Sequence, residues 1–106
     1  MGLLVAQMRL AQINEYRSDL EYKIRLVSST KLDLSNQIND LVGFGSDMNP
    51  DSPEMKALKK KEERLHTVEK ALDQQLQRYQ TQLQMVEAEE QSVKQSLQNA
   101  IQRSFS

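Results

Sequence analysis

The sequence predicts an all-α protein, an antiparallel two-helix hairpin with coiled-coil-like packing, assembled into a higher oligomer or helical filament. Three observations lead there. Gly43, Gly45, Pro50 and Pro53 concentrate the helix breakers between residues 43 and 53, with only Gly2 elsewhere, so the chain of 106 residues is cut once. On either side lie runs of about 40 and 50 residues rich in Leu, Gln, Glu, Lys, Arg and Ala, which lose little rotamer freedom in a helix. In both runs apolar residues recur every seven positions, the period of a long supercoiled seam.

Helix 1 is expected over about residues 3–42. With Leu3 as heptad position a, Ala6, Ile13, Leu20, Val27, Leu34 and Leu41 occupy d, all apolar. The a positions are Leu3, Leu10, Arg17, Ile24, Lys31 and Ile38; the two basic side chains there can pack their stems while the charge reaches water. Gly43 suits a helix C-cap. The turn, residues 43–52, ends in Pro50-Asp51-Ser52-Pro53: Ser52 is a good N-cap, Pro53 tolerates the first helical position, and Glu54 complements the helix dipole.

Helix 2 is expected over about residues 53–104, with Leu58, Leu65, Leu72, Tyr79, Val86, Val93 and Ala100 in one row. Leu76, Leu83 and Leu97 form a second row, which Glu90 interrupts. Leu20, Val27, Leu34, Leu65, Leu72, Tyr79 and Leu83 should make the intramolecular seam of a single hairpin spanning residues 1–106, roughly 60 to 75 Å long at about 1.5 Å per residue.

Helix 1 also carries Leu4, Val5, Met8, Ala11, Tyr22, Leu26 and Leu32 at b, c and f, opposite its own seam. One helix cannot bury both faces against one partner, so this face is read as a contact with a second chain or a second copy. Helix 2 is polar outside, with ten of thirteen Gln between Gln74 and Gln102, and turns apolar only at Ile101 and Phe105. Those two should lie beside Leu3, Leu4, Val5 and Met8, so the end bearing the termini is sticky and the Gly/Pro end wet. The Gln-rich surface is explained by helix propensity or by a face that meets passing chains without a strong field, such as a channel lining.

Composition narrows the function classes. Fourteen Lys+Arg against fifteen Asp+Glu give a net charge of −1, short of the basic excess that phosphate neutralisation requires, so no nucleic-acid partner is expected. No run approaches a membrane span, and Leu3 to Ala6 is too short and wrongly flanked for a signal peptide. Ala6 stands where a myristoylation signal wants Ser or Thr after Gly2. The absence of Cys removes disulfides, thiolate metal sites and a cysteine nucleophile. Glu63 and His66 have the Glu-x-x-His spacing of di-iron bundles, yet both fall at outer positions with no matching pair. Glu87, Glu89 and Glu90 and the run Lys59 to Lys61 read first as solvated helix surface, with docking or subunit-to-subunit charge pairing as the alternative. No phosphate loop, Ser/His/Asp set or catalytic carboxylate pair can be assembled. The chain is expected to be no enzyme, with no catalytic residue, metal or cofactor.

Pro50-Asp51-Ser52-Pro53 between two helices, and the closing Ile101, Gln102, Arg103, Ser104 and Phe105, resemble the needle subunits of bacterial type III secretion systems: small helical hairpins with a Pro-x-x-Pro turn and an Ile-then-Phe C-terminal motif. The resemblance covers about residues 47–58 and 93–105. It implies a subunit secreted without a cleaved leader that polymerises into a hollow tube with its C-terminal helix toward the lumen. Both arms here are longer than in a typical needle subunit, and helix 1 is apolar outside, so a rod, hook-like or flagellar-axial-like subunit fits the same residues. The implied partners are copies of the chain itself, with a secretion-system protein or chaperone beside them, and the implied location is a secreted or cell-surface filament. The rival reading is a cytoplasmic coiled-coil adaptor or export chaperone whose helix 1 holds one partner protein. A filament subunit needs two different surfaces that repeat without closing, whereas a chaperone needs one groove and a closed complex.

Overall fold

A computed structural model describes residues 2–105. Two helices, α1 (Leu3–Gly45) and α2 (Pro53–Phe105), pack as an antiparallel hairpin, and the described residues contain no strand. The packing divides into two units. Unit 1 joins the part of α1 through Ile24 to the part of α2 from Arg78 onward; unit 2 runs from Arg25 to Gln77 and contains the turn.

In unit 1 the heptad rows fill the core. Ala6, Ile13, Leu20, Val86 and Val93 form one buried cluster, with Leu10, Tyr79, Leu83 and Leu97 packed against it. In unit 2, Val27, Leu34, Ile38 and Leu58 are buried, while Leu41, Leu65, Leu72 and Leu76 are half-buried. Each fully buried Leu, Ile or Val contributes about 1.5 to 3 kcal/mol, so the two rows supply most of what holds each unit together. The seven expected seam residues are thus all buried or half-buried.

The turn is shorter than its sequence suggests. Helix α1 runs through Gly43 to Gly45, and no glycine among the described residues has a positive φ, so Gly43 is not a left-handed C-cap. Its carbonyl is satisfied instead by Ser46, whose Oγ donates to it at 2.8 Å and whose backbone N–H donates at 3.4 Å. The tighter i→i+3 bond from Met48 N–H to Gly45 O, 3.1 Å, closes the last turn. Close packing explains why glycine stands at 45: a Cβ there would run into Leu58 Cδ2, with Met55 Sδ 3.5 Å away. The entry to α2 is as expected. Met55 N–H donates to Ser52 Oγ at 3.1 Å, an N-cap bond to the third helical residue, and Lys56 N–H makes the first helical bond to Ser52 O. Asn49 organises the connection ahead of it, its Oδ1 accepting from Asp51 N–H at 3.1 Å.

Candidate interaction surface

In unit 1 the seam is closed by charge as well as by apolar packing. Arg17, at an a position, donates from Nη1 to both oxygens of Glu90, at 2.9 and 2.6 Å, and Lys94 Nζ reaches the same carboxylate at 3.2 Å. Glu90 is only 4% exposed. This corrects two expectations. Glu90 is not solvated surface, and Arg17 does not simply extend its charge into water: the antiparallel register sets the two interruptions of the apolar rows against each other. The signal was present as two opposite charges at seam positions of facing helices, invisible while each helix is read alone. Nearby, Arg9 pairs with half-buried Glu89, and Lys23 pairs with Asp19 at 2.9 Å and sits 5.9 Å from the Tyr79 ring centroid. The hydrogen bond to Asp19 and its charge hold Lys23 above the ordinary lysine value.

In unit 2 the second basic a residue, Lys31, pairs across the seam with Asp73, and Ser35 Oγ donates to Glu69 Oε2 at 3.1 Å. That hydrogen bond to Asp73, reinforced by its charge, raises the Lys31 pKa. Glu63 and His66 are both exposed; His66 Nδ1 lies 3.6 Å from Glu69 Oε1. Among the described residues no group of three or more His, Asp or Glu is placed to hold a metal ion, and no helix is long and apolar enough to cross a membrane. An open groove of about 500 Å³ on unit 1 is lined by Arg17, Glu21, Gln84, Glu87, Ala88, Glu90 and Gln91, and its one cation, Arg17, is already committed to carboxylates.

What stands out is apolar surface left over once the seam is filled. On unit 1, Leu4, Val5, Met8 and Tyr22 of α1 are exposed, Leu4 to 68%, and at the end of α2 Phe105 is 88% exposed, with Ile101 also open. On unit 2, Leu26 and Leu32 of α1 are likewise exposed. All eight lie outside the apolar heptad rows, and all are exposed. Pro50 and Asp51 are exposed in the turn, Pro53 is exposed at the start of α2, and Ser52 is half-buried as the cap. Two expectations need amending. Helix α2 is apolar outside at Val68 and Met85 too, not only at Ile101 and Phe105. The Gly/Pro end is not simply wet, because Val42 and Phe44 are exposed there. Val42 and Phe44, at e and g beside the seam, stay open to solvent because no third helix covers them among the described residues.

Comparison with known protein families, with curated proteins and with solved structures finds no match.

Proposed function

We propose that this chain is a structural subunit that assembles with copies of itself into a helical filament or tube, of the needle or rod kind found in a secretion apparatus. The observation that carries the reading is the outer face of α1: with the heptad seam filled by α2, Leu4, Val5, Met8, Tyr22, Leu26 and Leu32 remain exposed. A helix that has already satisfied its core face has no intramolecular use for a second apolar face, and leaving it in water favours association. Ile101 and Phe105 add exposed apolar surface at the end of α2 in unit 1; a repeating, non-closing contact needs two unlike surfaces, which this reading takes to be the outer face of α1 and this tip. The proposed setting is a secreted or cell-surface filament, with the subunit itself doing no chemistry.

The test pairs Tyr22→Ser with Leu26→Ser in the full chain. Both side chains are exposed, so helicity by circular dichroism should be kept while wild-type filaments, seen by negative-stain electron microscopy, are lost. Wild-type protein that sediments as a closed complex of fixed mass at every concentration would overturn the filament and favour an adaptor or chaperone with one bound partner. Loss of helicity together with assembly would place these residues in the core and refute the heptad register.

A further inference from the structure

A second surface on unit 2 has the composition of a self-complementary contact. Residues 32–55 carry Asp33, Asp40, Asp47, Asp51 and Glu54 and not one Lys or Arg. The first turns of α2 then reverse the sign: Lys56, Lys59, Lys60, Lys61 and Arg64 stand against Glu62 and Glu63. Gly45 lies against Leu58 and Met55, so the end of α1 and the start of α2 are neighbours. Yet the five cations of this run, and the carboxylates of Asp40, Asp47, Asp51 and Glu54, are exposed and in no ion pair among the described residues. Elsewhere Arg9, Arg17, Lys23, Lys31 and Lys94 are paired, while Arg25, Lys70 and Arg78 stand singly and in no ion pair among the described residues, so the turn end is set apart by the clustering of its unpaired charges. In the same stretch Phe44, on the last turn of α1, is 71% exposed. An exposed aromatic next to Gly45, in a part of unit 2 whose charges of both signs are unpaired, suits an anchor with a polar rim.

We infer that the turn end of unit 2 binds the turn end of a second copy through a two-fold contact, with Phe44 as its anchor and the acidic stretch of each copy facing the basic run of the other. In such an isologous contact residue i meets j and j meets i, so every charge pairing is made twice. The two signs follow each other directly in sequence and stay unpaired within one chain; a two-fold rotation brings them together. A nucleic acid or an anionic membrane would use the cations but would be repelled by Asp40, Asp47, Asp51 and Glu54, which favours a copy of the chain as the occupant. The contact uses none of the outer-face residues of α1 and stands independently of the filament reading.

The experiment starts from the full chain carrying Tyr22→Ser and Leu26→Ser, so that the two contacts are separated, and reads mass by sedimentation equilibrium. The expected result is a dimer, whose dissociation constant rises about tenfold or more with Phe44→Ser. Two further variants in this background reverse one sign each: Asp47→Lys with Asp51→Lys, and Lys59→Glu with Lys60→Glu. Each alone should be monomeric, with unchanged helicity because all four side chains are exposed, and an equimolar mixture of the two should recover a heterodimer. A monomer at every concentration in the starting background overturns the inference, as does a dimer indifferent to both reversals. Binding of the basic run to phosphatidylserine vesicles without dimerisation would also overturn it, assigning the cations to a lipid surface. Filaments that persist in the starting background count against the outer face of α1 alone.

Discussion

Replacing Arg17 with Leu should cost the hairpin about 1 to 3 kcal/mol, and replacing Glu90 with Leu in the same chain should return at least that. The Glu90 carboxylate is 4% exposed and takes two hydrogen bonds from Arg17 and one from Lys94. Removing one partner of a fully buried pair costs about 3 to 5 kcal/mol, because the remaining charge is left without compensation. Two features reduce that figure here: the Arg17 side chain is itself one-third exposed, and Lys94 stays on the carboxylate. With both residues as Leu, two seam positions in unit 1 become apolar among Ile13, Leu20, Leu83 and Val93, and the double variant should be as stable as wild type or up to about 4 kcal/mol more stable. Urea unfolding followed by far-ultraviolet circular dichroism, at concentrations where the protein is monomeric, measures all of this. A double variant as weak as Arg17→Leu would refute the reasoning, since it would mean that this level of the seam needs the carboxylate for packing. The pair should earn its place through register: the double variant is expected to form mixed hairpins and misaligned oligomers, visible as heterogeneous sedimentation, because an all-apolar seam no longer penalises a slipped pairing.

Gly43→Ala should raise stability by about 0.5 to 1 kcal/mol in the same assay, since the residue is helical with nothing near its missing Cβ. Gly45→Ala should gain less than Gly43→Ala, because its Cβ meets Leu58 Cδ2 and the buried Leu58 side chain must shift to make room. Lys31, held above its ordinary 10.5 by Asp73, contributes stability that is complete below that value and is lost as pH rises through its folded-state pKa. Lys31→Met should therefore differ from wild type at neutral pH and converge with it at strongly alkaline pH in thermal melts. Phe105→Ser should leave helicity and solubility unchanged while shortening or abolishing filaments in electron micrographs, as burying a Phe at each repeat is worth roughly 1.5 to 3 kcal/mol; filaments of normal length would remove the C-terminal tip from the assembly.

The local features of this protein were legible because they depend on short-range periodicity and turn chemistry. Ala6, Ile13, Leu20, Val27 and Leu34 are buried because a 3.5-residue repeat keeps one stripe toward a partner helix, whichever helix that is. Ser52 caps α2 because its hydroxyl lies next to free N–H groups of its own first turn. The outward set from Leu4 to Leu32 follows by elimination from the same wheel. Tertiary structure decided the rest. Gly43 could have ended α1, since a helix tolerates glycine at a cost of about 1 kcal/mol and the choice passes to packing; α1 instead runs on to Gly45, which lies against Leu58 of α2. Glu90 was an interruption on α2 and Arg17 an oddity on α1 until the antiparallel register set them side by side and made one buried pair of two misplaced charges. Which charges remain unpaired, and that Phe44 stays open, depends on distances between helices, and a heptad pattern read along one chain contains no such distances.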